Sequence, residues 1–395
     1  MSGREVVVVA GVRTGIGDFG GALKDLAPTR LGALVVKEVV ARAGIEPGAI
    51  GHLVFGSVIH GEARDMYLSR VAAIDGGLPV GTPCLTVNRL CGSGLQAIVS
   101  AAQHILLGDT DVVIGGGAES MSRAAYILPS QRWGQRMGDA AVVDAMVGAL
   151  HDPFGHGHMG ITAENIAAKY GFTRAQQDAF ALESHLRAAR AIEQGYFKSQ
   201  IVPVELKTRK GVETFAGDEH VRRDAKIEDM AKLKPAFKKE GGTVTAGNAS
   251  GLNDAAAALV MMEAGAAQKR GLKPLARLVA YAHAGVEPQL MGLGPIPAVK
   301  RVFEKAGLTP ADMDVIESNE AFAVQAMAVT HDLGLDPTKV NPNGGAVALG
   351  HPIGATGAIL AVKALYELQR VQKRYALVTM CIGGGQGIAA IFERV

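Results

Sequence analysis

The sequence predicts an α/β protein of two similar halves with a long insert, and three observations carry that reading. Apolar runs of strand length alternate with segments of helical period, the pattern of helices packed on buried sheets. The order strand, glycine-rich turn, helix, strand occurs in the first third of the chain and again in the last. Between them, the stretch from about Ser120 to Gly247 follows neither rule. At 395 residues, 48% hydrophobic and 20% charged, the chain is long enough for two or three packed units and far from the composition of disordered proteins.

Glu5 to Ala10 and His52 to Val58 are expected strands. Pro28 to Arg42 is an expected helix, with proline in its first turn and Gly44 just past its end. From Leu85 the chain runs strand, turn, a helix from about Cys91 to Leu107, and a strand from Asp111 to Ile114 ending in Gly115, Gly116 and Gly117. The last third repeats this with a turn over Asn343 to Gly350, a helix from about Gly350 to Leu368, and a strand from Ala376 to Ile382 ending in Gly383, Gly384 and Gly385. This reads as an internal duplication, with chance as the alternative, since glycine after a strand is common. The insert holds a helix opened by Thr173 and Gln176 in a capping pattern and a polar span from Lys207 to Lys239. Ala255 to Met262, after Gly251 and Asn253, is read as a strand. The expected division is 1–120 with 247–272 for the first half, 121–246 for the insert, and 273–395 for the second half.

Composition excludes several functions. Lys plus Arg (40) balances Asp plus Glu (38), so no general nucleic-acid or anionic-membrane surface is expected. The apolar runs read as too short for a membrane span, which needs roughly 18 residues. Cys84, Cys91 and Cys381 form neither a disulfide framework nor a metal-like spacing. The first strand starts almost at once and Phe392 to Val395 is no peroxisomal address, so a cytoplasmic location is expected.

Four segments can carry chemistry. In Asn88 to Ile98, Cys91 lies on a tight turn that opens a helix, where free N–H groups and the helix dipole favour a thiolate; a buried core cysteine is the competing reading. His351 lies among five glycines in Asn343 to Gly357, at a helix start that keeps an imidazole neutral and available as base. Cys381 stands at the end of the last core strand, in Met380 to Gly385, where core packing is again the alternative. Asn319, in Asn319 to Ala323, follows the strand Asp314 to Ser318 and could simply cap a helix. Strand ends and strand-to-helix junctions gather at one edge of an α/β sheet, where ligands bind. Two cysteines, a histidine and an amide gathered there point to covalent catalysis.

In this order the four segments resemble those of the thiolase family, and the similarity runs from Arg4–Val9 to Gln386–Ile388. The insert resembles the family's loop domain through His158-Met159-Gly160 and Ala246 to Asp254. Leu150 to Phe154 resembles bacterial β-ketothiolases that supply polyhydroxyalkanoate synthesis, including those accepting chains longer than acetyl. The resemblance implies two βαβαβαββ-type halves packed in α-β-α-β-α layers. It implies an acyltransferase that condenses two acyl-CoA molecules to a 3-ketoacyl-CoA, or runs the reverse thiolysis, through an acyl group on Cys91. His351 would activate Cys91, Cys381 would exchange the α-proton, Asn319 would hold a water at the enolate, and the N–H groups of Cys91 and Gly383 would hold the tetrahedral oxyanion. Coenzyme A would lie near Leu150, His158, Met159, Ala246, Ser250, Ala321 and Phe322, with Met291 near the acyl end and Arg222 beside the nucleotide.

For Met159, Met291 and Phe322 ordinary core packing is the alternative, and for Arg222 with Arg223 a solvated charge pair. Coenzyme A thioesters are expected as substrates, with no permanently bound cofactor or metal, and a homotetramer is implied. A degradative 3-ketoacyl-CoA thiolase, a ketosynthase-type condensing enzyme and a non-catalytic acyl-CoA or lipid binder are the other readings. The binder would have no use for both cysteines and His351, and the Cys381 to Gly385 ending favours thiolase over ketosynthase.

Overall fold

The computed structural model describes residues 3–209 and 211–395. The first half runs β1 (Val6–Thr14), α1 (Pro28–Ala43), β2 (His52–Gly56), α2 (Leu68–Asp75), β3 (Cys84–Val87), α3 (Ser93–Leu107) and β4 (Val112–Ser120). Within the insert lie α4 (Met159–Tyr170) and α5 (Arg174–Glu193), after which β5 (Asn253–Glu263) returns to the sheet. The second half runs β6 (Ala276–Gly285), α6 (Pro295–Ala306), β7 (Val315–Ser318), α7 (Ala323–Asp332), α8 (Thr356–Val371), β8 (Tyr375–Ile382) and β9 (Gln386–Arg394).

The main strand order is β7-β8-β9-β6-β1-β5-β4-β2-β3, which reads the same from the centre outward in each half. β1 with β5 and β6 with β9 are antiparallel, β5 with β4 and β9 with β8 are antiparallel, and β4 with β2 and β8 with β7 are parallel. Even β3 has a counterpart, a parallel bridge from Ile316 of β7 to Val340. Both innermost strands carry a bulge, at Val8/Ala10 and at Leu278/Ala280. Shared order, direction and bulge make the duplication a property of the fold rather than of glycine frequency. The halves join where β1 meets β6 over only two residue pairs, Val7 with Arg277 and Val8 with Ala276.

Five layers result. α1 and α2 cover one face of the first half-sheet through Val35, Val39, Leu68 and Ala72. α6 and α7 cover the far face of the second through Val299, Val302 and Val329. α3 and α8 share the central core with residues of both half-sheets. A helix with much of its surface buried in a core is rich in apolar residues. This explains Leu90 to Leu107, which by length and composition alone could cross a membrane and so departs from the expectation that no apolar run reaches that length. Each Leu or Ile fully buried there contributes about 1.5–3 kcal/mol.

Three expectations need correction. Gly115, Gly116 and Gly117 do not end their strand but sit inside β4, which continues to Ser120. They allow close approach of backbone: a Cβ on Gly117 would stand 2.3 Å from the Gly354 carbonyl oxygen of the other half, and one on Gly115 2.8 Å from the Cα of Ile98 in α3. The helix after Cys91 begins at Ser93. The helix after His351 begins at Thr356, behind a separate short helix, Ala346–Leu349.

Candidate active site

Cys91 sits on a turn held by its own side chains. Asn88 Oδ1 accepts the Leu90 N–H at 2.9 Å, and Ser93 Oγ donates to the Leu90 carbonyl at 2.7 Å while accepting the Arg89 N–H at 2.8 Å. These bonds hold Leu90 at φ 44°, a left-handed conformation rare for leucine that tends to occur at functional sites. The turn leaves Cys91 half-buried, with its own N–H and that of Gly383 facing the sulfur. Burial pushes the thiol up to about 11, against those two N–H groups. Desolvation thus opposes the thiolate that the helix start two residues on favours.

His351 is buried on the loop between Gly350 and α8. Its N–H donates to Asn253 Oδ1 at 2.8 Å, and a Cβ on Gly350 would stand 2.4 Å from that side chain, so the first residue of β5 seats the loop. The Thr356 hydroxyl donates to the Pro352 carbonyl at 2.9 Å, so it accepts from His351 Nδ1 at 2.7 Å. That fixes the proton on Nδ1 and leaves Nε2 as a lone-pair acceptor. Burial lowers the imidazole to about 4; it is neutral as expected, but through desolvation rather than the helix dipole.

Cys381, the penultimate residue of β8, is fully buried. Burial first, and Cys91 beside it second, raise its thiol beyond the ordinary range. Gly383 follows on the turn to β9, where Gly384 and Gly385 adopt φ 78° and 84°. A side chain at Gly383 would meet Met159 at 2.9 Å and Leu90 at 3.0 Å. Asn319 does not cap a helix, since α7 begins only at Ala323. It extends β7, its N–H donating to the Thr379 carbonyl at 3.0 Å. Its Nδ2 lies 3.4 Å from His351 Nε2, while its buried Oδ1 has no hydrogen-bond partner.

Cys91, His351, Cys381 and Gly383 line one cavity of about 280 Å³. Leu150, His158, Met159, Ala246, Ser250, Met291, Ala321 and Phe322 line it too. The insert's return closes it: Ala249 bridges to Phe322, and the Ser250 N–H donates to the Ala321 carbonyl at 3.0 Å. His158 Nδ1 accepts the Gly160 N–H at 3.0 Å, which puts the imidazole proton on Nε2, and its ring stacks on Phe237 at 4.6 Å. Arg222 is not brought to this cavity; its side chain is exposed and its backbone N–H donates to His185 Nδ1 at 3.1 Å.

Several lining residues escaped the sequence reading, among them Leu90, Met121, Phe237, Leu252 and Ile353. Phe237 carried a signal, as one of two aromatics in the polar span 207–239. Thr356 carried another, a hydroxyl at a helix start five residues after His351.

The thiolase N-terminal domain model matches residues 6–265 and the thiolase C-terminal domain model residues 272–394. The chain is 71% identical to beta-ketothiolase BktB of Cupriavidus necator over 99% of its own length and all of that protein's. It is 50% identical to an acetyl-CoA acetyltransferase of Allochromatium vinosum over 99% of both. Among solved structures it is similar to the Bacillus anthracis acetyl-CoA acetyltransferase (TM-score 0.97, 46% identity, 99% of both chains). It is also similar to human mitochondrial 3-ketoacyl-CoA thiolase in complex with CoA (TM-score 0.96, 42% identity, 99% of this chain and 98% of that one). With consecutive N- and C-terminal models spanning almost its whole length, the chain belongs to the thiolase family.

Proposed function

We propose that this chain is a β-ketothiolase that joins two acyl-CoA molecules, one of them acetyl-CoA, into a 3-ketoacyl-CoA and free coenzyme A, and catalyses the reverse thiolysis. The observation that carries the reading is the convergence of two thiols, a neutral imidazole and two N–H groups facing Cys91 on a single apolar cavity. A shape of this kind suits a long, mostly neutral pantetheine arm with a few hydrogen-bonding points.

The protonation states support one sequence of transfers. His351 Nε2 takes the Cys91 proton as the sulfur attacks the thioester carbonyl, whose oxyanion meets the N–H groups of Cys91 and Gly383. The departing coenzyme A thiolate takes a proton from Cys381, which burial keeps in the thiol form at rest. The enzyme is then an acyl-Cys91 thioester with Cys381 as thiolate and His351 as imidazolium. A second acetyl-CoA gives its α-proton to Cys381, and the enolate oxygen is held by the imidazolium and a water on Asn319. The carbanion attacks the acyl-Cys91 carbonyl; collapse releases product, and the Cys91 thiolate recovers the proton from His351. Each group ends as it began.

The wall nearest Cys91 also bears on substrate range. Met121 and Ile353 pack with Cys91, Ala149 and Leu252 in one apolar cluster, a wall whose apolar character suits the methylenes of an acyl chain. Measured kcat/KM for a series of 3-ketoacyl-CoA lengths is expected to change from four to six carbons by no more than about 10–200-fold per added methylene, the discrimination of about 1–3 kcal/mol that one methylene in an apolar pocket supplies. A chain of six carbons turned over at background rate would refute this range.

Assembly is the second part of the proposal. The insert exposes Tyr126, Ile127, Leu128, Trp133 and Met137, with Trp133 92% and Met137 89% accessible, an apolar run that a monomer does not normally present to water. We infer that further copies of this chain cover it where two dimers meet, in a homotetramer. Trp133 is the only tryptophan, so its emission reports directly; sedimentation as a stable monomer at micromolar concentration would contradict the assembly.

A further inference from the structure

We propose that Glu119 is a positioning residue of this reaction: its carboxyl group clamps the loop that carries His351 onto the first half of the fold and so fixes the imidazole relative to Cys91. The inference rests on the thiolase reading above. Glu119 is the next-to-last residue of β4 and is fully buried. Its Oε2 accepts the Gly354 N–H at 2.9 Å and the Val58 N–H at 3.0 Å, and its Oε1 accepts the Ile59 N–H at 3.2 Å. One side chain thus ties the exit of β2, the end of β4 and a loop from the opposite half, three residues beyond His351.

The fit around Gly354 is close on every side. A Cβ on Gly354 would stand 2.6 Å from Glu119 Oε2, and Cβ atoms on Gly56, Gly94 and Gly117 would stand 2.7, 3.1 and 2.3 Å from the Gly354 carbonyl oxygen. The loop is therefore seated by three glycines and oriented by one carboxylate. All of the hydrogen-bond partners of Glu119 are neutral N–H groups, and a carboxyl buried without a cation is costly. Neutral acceptors would satisfy three N–H groups at lower cost, so the retained acid suggests a use beyond folding.

The titratable groups that face Glu119 are Cys91 and Asp65, with Glu62 and Arg123 behind Asp65. Burial raises the Glu119 carboxyl to about 8, and its charge in turn opposes a thiolate at Cys91. Ionised, it accepts all three N–H bonds at full strength and the clamp is tightest.

Two substitutions separate geometry from charge. Glu119→Gln keeps the shape, but its amide nitrogen cannot accept an N–H, and kcat is expected to fall on the order of 10–100-fold with KM for acetyl-CoA changed less than about threefold, the scale for slightly misplaced catalytic groups. Alkylation of Cys91 by iodoacetamide in the same variant should match wild type near pH 6 and exceed it above pH 8, because the opposing charge is gone. Glu119→Asp keeps the charge and shortens the reach, so kcat should fall while the alkylation profile follows wild type. A purely structural residue would lower melting temperature and shift alkylation equally at every pH in both variants, and that result would overturn the proposal. So would wild-type kcat in either variant; if Glu119→Gln does not fold, Glu119→Asp decides alone. Failure of wild-type Cys91 to be acetylated would refute the thiolase reading instead and leaves a distinct signature.

Discussion

Replacing Cys91 with alanine is expected to abolish covalent acetylation by labelled acetyl-CoA and to reduce turnover by on the order of 10⁴-fold or more, the scale for losing a covalent nucleophile. The expectation follows from what surrounds the sulfur. Only at position 91 do two backbone N–H groups face a thiol at the mouth of the apolar cavity. Cys381 lines the same space but is fully buried, with its thiol raised further, so it does not take over. Intact-protein mass measurement reads one acetyl group on wild type and none on the variant. An acetylated Cys91→Ala protein, with the label mapped to another residue, would move the nucleophile and dismantle the mechanism.

The architecture was legible because each local signal agreed with the global one. Glycine-rich turns followed by helices occurred twice, and the fold repeats them as Cys91 before α3 and His351 before α8. What stayed hidden depended on contacts distant in sequence. The three glycines of β4 looked like a strand end, yet Gly115 is required by Ile98 of α3, Gly116 by Ala257 of the neighbouring strand and Gly117 by Gly354, more than two hundred residues later. Helix starts were misplaced by two residues at α3 and about six at α8. In the first case the chain is held at Leu90 in a conformation that side-chain bonds, not propensity, enforce.

The site divides in the same way. Cys91, His351, Cys381 and Gly383 were readable from motifs that are short and contiguous, and all reach the cavity. The effect of burial on them was not readable, because desolvation is a property of the surroundings: at Cys91 it opposes the thiolate that a helix start was expected to favour. Arg222 came from resemblance alone, without a local signal, and its side chain stands exposed and off the cavity. Thr356 lies within the His351 segment and acts through His351, whereas Glu119 acts through Gly354 of the opposite half, so only the packed structure connects Glu119 to the chemistry.

The second large effect separates the two cysteines by task. Cys381 must only give and take a proton, so Cys381→Ser should still be acetylated on Cys91 while condensation falls by on the order of 10²-fold or more, the usual scale for a positioned acid–base group. A hydroxyl is a far weaker acid than a thiol, and the surroundings worsen this: burial and Cys91 already lift the thiol at this position, and the same desolvation would act on an alkoxide. Acetylation should persist, since coenzyme A at neutral pH can leave as thiolate and take its proton from water, although more slowly than in wild type. Exchange of the α-hydrogens of bound acetyl-CoA with deuterated solvent isolates the step assigned to Cys381, and it should fall in parallel with condensation. Normal exchange in a Cys381→Ser enzyme that cannot condense would show that another group removes the α-proton, and the transfer sequence given for this site would then be wrong.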